Sequence, residues 1–375
     1  EDGIRDSVAS RGLGDVYKRQ GVDSEGSAMG DAFVAVSDDI SSIYWNPAGL
    51  ASLNMPKLAF MSQPWIAGIN MSFTAGALII PRVGNIGFGL TQMNYGEMDV
   101  TTLEYQEGTG ESFTASDIAA SLTFSRKLVS WFSFGSTIKY VRSNIWHSSA
   151  SAVAVDLGVL VNTEFFSFTG KKEDGLNIGM SISNYGSRMR FDGIDIYQPI
   201  DISEYEEGNY GDVPGQFRPS DWELPLIFRI GVALKPIKNN ITQLTVSADA
   251  LHPNNNSESI NVGCALDNTI PGVGTFSLRT GMKALFMDKP EYGYTAGLGF
   301  KLFYVGNKFI SIDYAYKSIG LLGNVNVYTL GFSFKSFMML RILFGVLATL
   351  LLNNCSNKNA VCLLYTSPSP RDATL

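Results

Sequence analysis

The sequence predicts an all-β membrane protein, an antiparallel transmembrane β-barrel of about fourteen strands with a small N-terminal helical plug (hatch) in its lumen. Three observations predict it. From residue 57 onward, apolar residues alternate with small or polar ones at a period of two, in segment after segment. The segments run about 9–14 residues, longer than the mean soluble strand of about 5–6 and long enough to cross a bilayer at a tilt. The stretch 26–53, GSAMGDAFVAVSDDISSIYWNPAGLASL, is the longest that does not read as strand.

The two ends read as foreign. Residues 10–20, SRGLGDVYKRQ, and 362–372, CLLYTSPSPRD, back-translate to DNA strings that are reverse complements over nearly their whole length. They resemble a sequencing-library transposon adapter, so 1–20 and 361–375 are set apart from fold reasoning. Residues 338–360 have a basic residue, an apolar run and then Leu352-Asn353-Asn354-Cys355, the layout of a lipoprotein signal peptide. The run is shorter than the ~20 apolar residues of a membrane-spanning helix. It is expected to be the start of a neighbouring reading frame, with a native hydrophobic helix as the alternative. The span 21–337 remains, as plug (21–55) and barrel (56–337).

Composition narrows the function classes. The chain is 17% charged with a net charge of −7, which argues against nucleic acid as a partner. Of its 3 cysteines only Cys264 lies in 21–337, so neither a disulfide framework nor a cysteine metal site is expected.

Within the plug, Ala28, Met29, Ala32, Phe33 and Val36 recur at helical spacing. Asp38 and Asp39 stand where the cap of a second helical turn, ISSIYW, belongs; a metal is the less favoured role for them. Asn46-Pro47-Ala48-Gly49 is expected to stop that turn, because Pro47 lacks an amide hydrogen and Gly49 tolerates a left-handed backbone.

The barrel strands are expected at 56–64, 70–80, 84–94, 114–126, 131–143, 150–163, 174–184, 224–236, 240–251, 258–266, 274–286, 291–303, 307–317 and 324–337. Phe132, Phe134, Ile138 and Tyr140 alternate with Ser133, Gly135, Thr137 and Lys139. Val153, Val155, Leu157, Val159 and Val161 alternate with Ala154, Asp156 and Gly158, and Phe228, Ile230 and Val232 oppose Arg229 and Gly231. A soluble sandwich would alternate too; strand length and loop asymmetry favour the membrane. Connections on one side are mostly short (PRVG, 126–130, KPIKNN, VGNK), although 163–174 is longer. The others include 94–115, 142–149 and 185–223. Gly87, Gly89, Gly297 and Gly299 on the inner face would let a plug approach the wall closely. An aromatic end at Phe337 resembles the C-terminal signal of outer-membrane proteins.

The stretch MGDAFVAVSDDISSIYWNPAGLA resembles the N-terminal signature of the PorV/PorQ outer-membrane family, within the FadL-like barrels. The resemblance implies a fourteen-stranded barrel with an N-terminal hatch and an Asn-Pro-Ala motif in the lumen, here Asn46, Pro47 and Ala48, extended by Gly49. It implies the bacterial outer membrane, and no enzymatic activity, cofactor or metal is expected from the residues. Two roles follow: a component of type IX-like secretion contacting proteins or cargo through outer loops, or a FadL-like passage for long-chain fatty acids or other hydrophobic small molecules.

Tyr185, Tyr197, Tyr205, Tyr210 and Trp222 make the 185–223 loop the best candidate for touching a partner. Its carboxylates Asp201, Glu204, Glu206, Glu207 and Asp212 suit calcium, but acidic loops are more often simply solvated. His147 and His252 fall near outer strand ends without a defensible serine-and-acid arrangement.

Overall fold

The computed structural model describes residues 21–334, apart from 66–67, 103, 169, 171–173, 201–212, 256, 288–291, 305–307 and 321–322. The two adapter-like ends, the segment 338–360 and the aromatic end at Phe337 lie outside the described residues.

Fourteen strands form the wall: β1 (Lys57–Pro64), β2 (Asn70–Ile80), β3 (Gly84–Asp99), β4 (Ser112–Val129), β5 (Phe132–Ile145), β6 (Ser148–Asn162) and β7 (Asn177–Gly186), then β8 (Ile227–Lys238), β9 (Thr242–Pro253), β10 (Ser259–Ile270), β11 (Gly274–Leu285), β12 (Tyr294–Tyr304), β13 (Lys308–Ser318) and β14 (Asn324–Ser333). Each pairs antiparallel with the next, and β14 returns to β1 with Leu58 opposite Phe332. The sheet is therefore closed. In hydrocarbon no water can satisfy a free strand edge, and closure leaves none.

The alternation sorts as expected. Val155 and Ile230 are exposed on the outer face, as are Phe88, Leu122, Ile138 and Leu298, while Phe332 is half-buried. Ser133, Thr137, Ala154, Asp156 and Ser181 are buried on the inner one. The connections also sort by end, with one correction. Residues 142–149 do not form a long loop: β5 runs to Ile145 and β6 starts at Ser148, leaving a tight turn with Trp146 at φ 50°. Ser148 and Ser149 pair with Ile145 and Asn144, so only 146–147 lie outside the ladder; polar side chains there suggest a loop, but a ladder needs only backbone groups. The longest connection at the long-loop end is 187–226, between β7 and β8.

The plug occupies the lumen. Helix α1 (Ser24–Ala28) is capped by Asp23, whose carboxylate accepts from Gly26 N at 2.9 Å and from Trp45 Nε1 at 2.6 Å. The helical spacing from Ala28 to Val36 does not continue that helix. Gly30 and Asp31 take φ of +66° and +64°, and the chain proceeds in turns. Close packing explains the break: a Cβ on Gly30 would lie 2.8 Å from the backbone of Met282, so the wall dictates the path. The apolar residues are needed all round because the segment is enclosed; Ala28, Met29, Ala32 and Phe33 are buried.

Helix α2 (Ser42–Trp45) follows Ser41, and neither Asp38 nor Asp39 caps it. Asp39 instead pairs with Lys57 at 3.0 Å. The second turn stops where expected, with Asn46 ending α2 in extended conformation, and Pro47–Ser52 then form a separate 3-10 helix. Gly49 is not left-handed. It is needed because a Cβ there would lie 2.0 Å from Ser37 O.

Candidate functional site

The plug is acidic and the wall around it supplies cations. Between residues 21 and 56 stand Asp23, Glu25, Asp31, Asp38 and Asp39, with no lysine or arginine. Glu25 meets Arg279 of β11 at 2.9 Å, and the same guanidinium holds Asp313 of β13 at 2.9 Å. Asp31 pairs with Lys283 and Asp39 with Lys57. Partly buried ion pairs are screened less than surface pairs, so these contacts help to fix how the plug is rotated in the barrel.

Backbone hydrogen bonds complete the seating. Ser24 N donates to Thr329 Oγ1 at 2.9 Å, Val34 N to Asp249 Oδ2 at 2.8 Å, and Thr295 Oγ1 to Ala28 O at 2.8 Å. Asn85 Nδ2 donates to Leu50 O at 2.7 Å and Ser125 Oγ to Ala48 O at 3.1 Å. Short helices leave most of their carbonyls unpaired internally, and wall side chains satisfy them here.

The Asn-Pro-Ala-Gly stretch lies at the centre of this contact. Asn46 is fully buried; its Nδ2 donates to Val34 O and to Val159 O of β6, each at 3.0 Å, and its Oδ1 accepts from Ala48 N at 3.2 Å. Two wall glycines make room for it. A Cβ on Gly158 would sit 2.1 Å from Asn46 Oδ1, and one on Gly135 would sit 2.3 Å from Pro47 C.

Of the glycines expected to admit the plug, Gly87 touches Ile43 and Leu50, Gly89 faces Ser121 and Ile43, and Gly297 touches Ala28. Gly299 instead leaves space for the Arg279–Asp313 pair. Gly179, Gly263 and Gly281 are further seats, against Val34, Met29 and Gly30. Their inward parity was readable in the sequence; their nearness to particular plug residues was not.

Towards the long-loop end a small cavity of about 60 Å³ lies beside the plug. Ile43, Met71, Phe73, Met93, Val141 and Leu224 give it an apolar lining. Its polar members are engaged with one another. Lys139 pairs with Asp156 at 2.5 Å and donates to Asn184 Oδ1 at 3.2 Å, while Asp117 accepts from Tyr95 OH at 2.7 Å. Asn184 reaches this position from a left-handed backbone, φ 64°, in the irregular stretch where β6 and β7 shift register.

The β7–β8 connection roofs the cavity. Met189 and Leu224 are buried against the inner-facing Val141, Ala150, Ala152 and Ala154. Met189 and Trp222 exchange backbone hydrogen bonds of 2.8 and 3.0 Å, and the Trp222 ring packs 5.1 Å from Phe191. Trp222 thus joins the roof, half-buried. Tyr185 and Tyr197 are exposed, whereas Tyr205, Tyr210 and the five carboxylates from Asp201 to Asp212 lie outside the described residues. At the opposite, short-turn end the lumen opens into a polar cavity of about 480 Å³, lined among others by Asp38, Lys57, Lys235, Asp267 and Lys301.

Both histidines pair with acids at the long-loop end: His147 Nδ1 lies 2.9 Å from Asp195 Oδ1, and His252 Nδ1 lies 2.9 Å from Glu258 Oε1. Ser148 Oγ donates to Asp195 Oδ2 at 3.0 Å, so the hydroxyl is bonded to the acid and not to the imidazole. A nucleophile activated by histidine needs the opposite order. Desolvation raises the Asp195 carboxyl, but the hydrogen bonds from His147 and Ser148 prevail and hold it below its ordinary range.

The model of the uncharacterised protein family UPF0164 matches residues 24–238, the plug and the first eight strands. No curated protein matches the chain. Among solved structures, the toluene transporter TbuX of Ralstonia pickettii is similar with a TM-score of 0.51 at 9% identity, over 84% of this chain and 98% of its own. The CymD monoaromatic hydrocarbon channel gives 0.50 at 11% identity, over 84% and 96%. A Pseudomonas aeruginosa FadL homologue gives 0.49 at 13% identity, over 84% and 98%. At these identities the first two likenesses establish a shared fold.

Proposed function

This chain belongs to the uncharacterised protein family UPF0164, and we propose that it is an outer-membrane passage for small hydrophobic molecules, closed by its plug. The short-turn end then faces the periplasm and the long loops face outward. The observation that carries this reading is the apolar cavity of Ile43, Met71, Phe73, Met93, Val141 and Leu224 between plug and roof. The names of the two similar structures, a toluene transporter and a monoaromatic hydrocarbon channel, support the same class of cargo. At about 60 Å³ the cavity is smaller than the roughly 150 Å³ that accommodates benzene in a protein interior. The described state is therefore closed, and passage requires the plug or the roof to move. The molecule would descend past Ile43, at the rim of the plug, into the polar chamber below.

Uptake by proteoliposomes tests it. A chain that conducts toluene or a long-chain fatty acid, and loses conduction when the cavity is filled in Met93→Trp, supports the reading; absence of uptake by the unmodified chain above empty liposomes rejects it.

A second reading keeps the finer resemblance, a PorV/PorQ-type component of type IX-like secretion that meets proteins or cargo through Tyr197, Tyr205, Tyr210 and Trp222. The firm seating of the plug favours it, since such a role asks nothing of the lumen. Purification from native membrane that recovers secretion proteins, together with absent hydrophobe uptake, would select this reading over the first.

A further inference from the structure

The rim at the short-turn end is apolar turn by turn. The β2–β3 turn exposes Ile80 and Val83, the β8–β9 turn Ile237 and Ile241, and the β10–β11 turn Ile270 and Val273. Water facing a turn tip gives no reason for such pairs. On one side of the barrel the pairs become aromatic. The β4–β5 turn exposes Leu128 and Trp131, and the longer β6–β7 connection exposes Phe165, Phe166 and Phe168, each at 63% or more.

These two turns form one surface. Asn162 N donates to Trp131 O at 2.8 Å, tying the end of β6 to the neighbouring turn. Beyond the barrel the β6–β7 hairpin continues, with Thr163 N donating to Leu176 O at 3.0 Å and Leu176 N to Phe165 O at 2.8 Å. Phe165, at the base of the aromatic group, therefore stands on paired backbone. The group adjoins the lipid-facing wall, because β6 ends at Asn162, three residues before Phe165. Arg126 and Lys127, exposed at the end of β4, place two cations beside it.

We propose that the β6–β7 hairpin is a lipid anchor: Phe165, Phe166 and Phe168 enter the phospholipid interface at the short-turn end, with Trp131 beside them and Arg126 and Lys127 against headgroup phosphates. Trp131 suits this depth because its ring is apolar and its N–H polar, and the phenylalanines bury apolar surface just below the headgroups. The anchor is one-sided, since the other short turns described carry aliphatic pairs. It is independent of what the lumen carries.

The test places tryptophan at Phe165 or Phe168, one at a time, in the full chain in nanodiscs of phosphatidylethanolamine and phosphatidylglycerol. The emission of the parent chain is subtracted. The expected result is that lipids brominated high on the acyl chain quench the added emission at least as strongly as for Leu157→Trp on the wall, while aqueous iodide has little effect. Quenching by iodide without quenching by the brominated lipid would overturn the proposal, because the hairpin would then stand in water. Protection from both would overturn it as well, by showing the rings covered by protein. Phe165 and Phe168 are surface positions, so both variants keep the fold.

Discussion

Asn46 of the plug and Val159 of the wall are joined by a hydrogen bond of 3.0 Å from the side-chain amide to the backbone carbonyl, across 113 residues of chain. The residue before Val159 is Gly158, whose missing side chain lets the amide come that close. The bond and the gap beside it are one device. An added methyl group at 158 and a removed amide at 46 should have the same consequence.

Gly158→Ala and Asn46→Ala are therefore both expected to loosen the plug while leaving the barrel closed. The first forces a Cβ to within 2.1 Å of Asn46 Oδ1, an overpacking that costs about 1–3 kcal/mol. The second removes the amide donor from the buried carbonyl of Val34, at about 1–3 kcal/mol. Limited proteolysis should cut within the plug in both variants. Barrel integrity, read by the gel shift between unheated and boiled samples, should persist.

Gly49→Ala is expected to be destabilising by a similar ~1–3 kcal/mol through its clash with Ser37 O. Gly272→Ala is the contrast: it has open space but a φ of +78°, so its cost is conformational and near 1 kcal/mol. Thermal unfolding in detergent should rank the two in that order.

Removing Arg279 should cost more than removing its plug partner. Arg279→Met leaves Glu25 and Asp313 facing each other at the wall of the polar chamber, at a cost below the ~3–5 kcal/mol of breaking a fully buried ion pair. Glu25→Gln keeps the Arg279–Asp313 pair and is expected to be milder. Urea midpoints measure the difference, and equal midpoints would contradict the arrangement.

A removable tether tests whether the plug moves during passage. Ser24 Oγ and Thr329 Oγ1 lie 2.8 Å apart, so cysteines at both positions are placed to bond. In Ser24→Cys/Thr329→Cys, hydrophobe uptake should fall on oxidation and recover on reduction. Unchanged uptake would place the moving part in the roof.

The β5–β6 turn at His147 should respond to acid. Its partner Asp195 has a carboxyl held below the ordinary value in the folded chain, so the clip contributes stability at pH above that ordinary value. That contribution is lost as pH falls through the lowered value. Hydrogen exchange of the 187–197 segment should therefore rise on acidification, and Asp195→Asn should show faster exchange at neutral pH with a flatter pH profile.

Much of the wall was legible in the residues. Each of the fourteen expected strands overlaps an observed one, because the period-two pattern and the strand length answer to a single solvent boundary. The plug was legible as an exception to the pattern but not in its conformation. Met29, Ala32 and Phe33 carry helical spacing, yet Gly30 and Asp31 turn the chain, since enclosure on all sides removes the polar face that makes such spacing informative. Asp38 and Asp39 stand locally where a cap belongs, and no local pattern marks Glu25. Asp39 instead answers Lys57, and Glu25 answers Arg279, 254 positions away.

What the sequence by itself determined is the barrel, its strand number, its inner and outer faces, and the presence of a stopper at its head. Those properties depend on neighbours along the chain. Which glycines seat the stopper, which cations hold it, and that Met189 and Leu224 close a small apolar chamber above it were decided by the tertiary structure. Closing the sheet brings residues hundreds of positions apart within hydrogen-bonding distance, and local patterning does not encode which of them will meet.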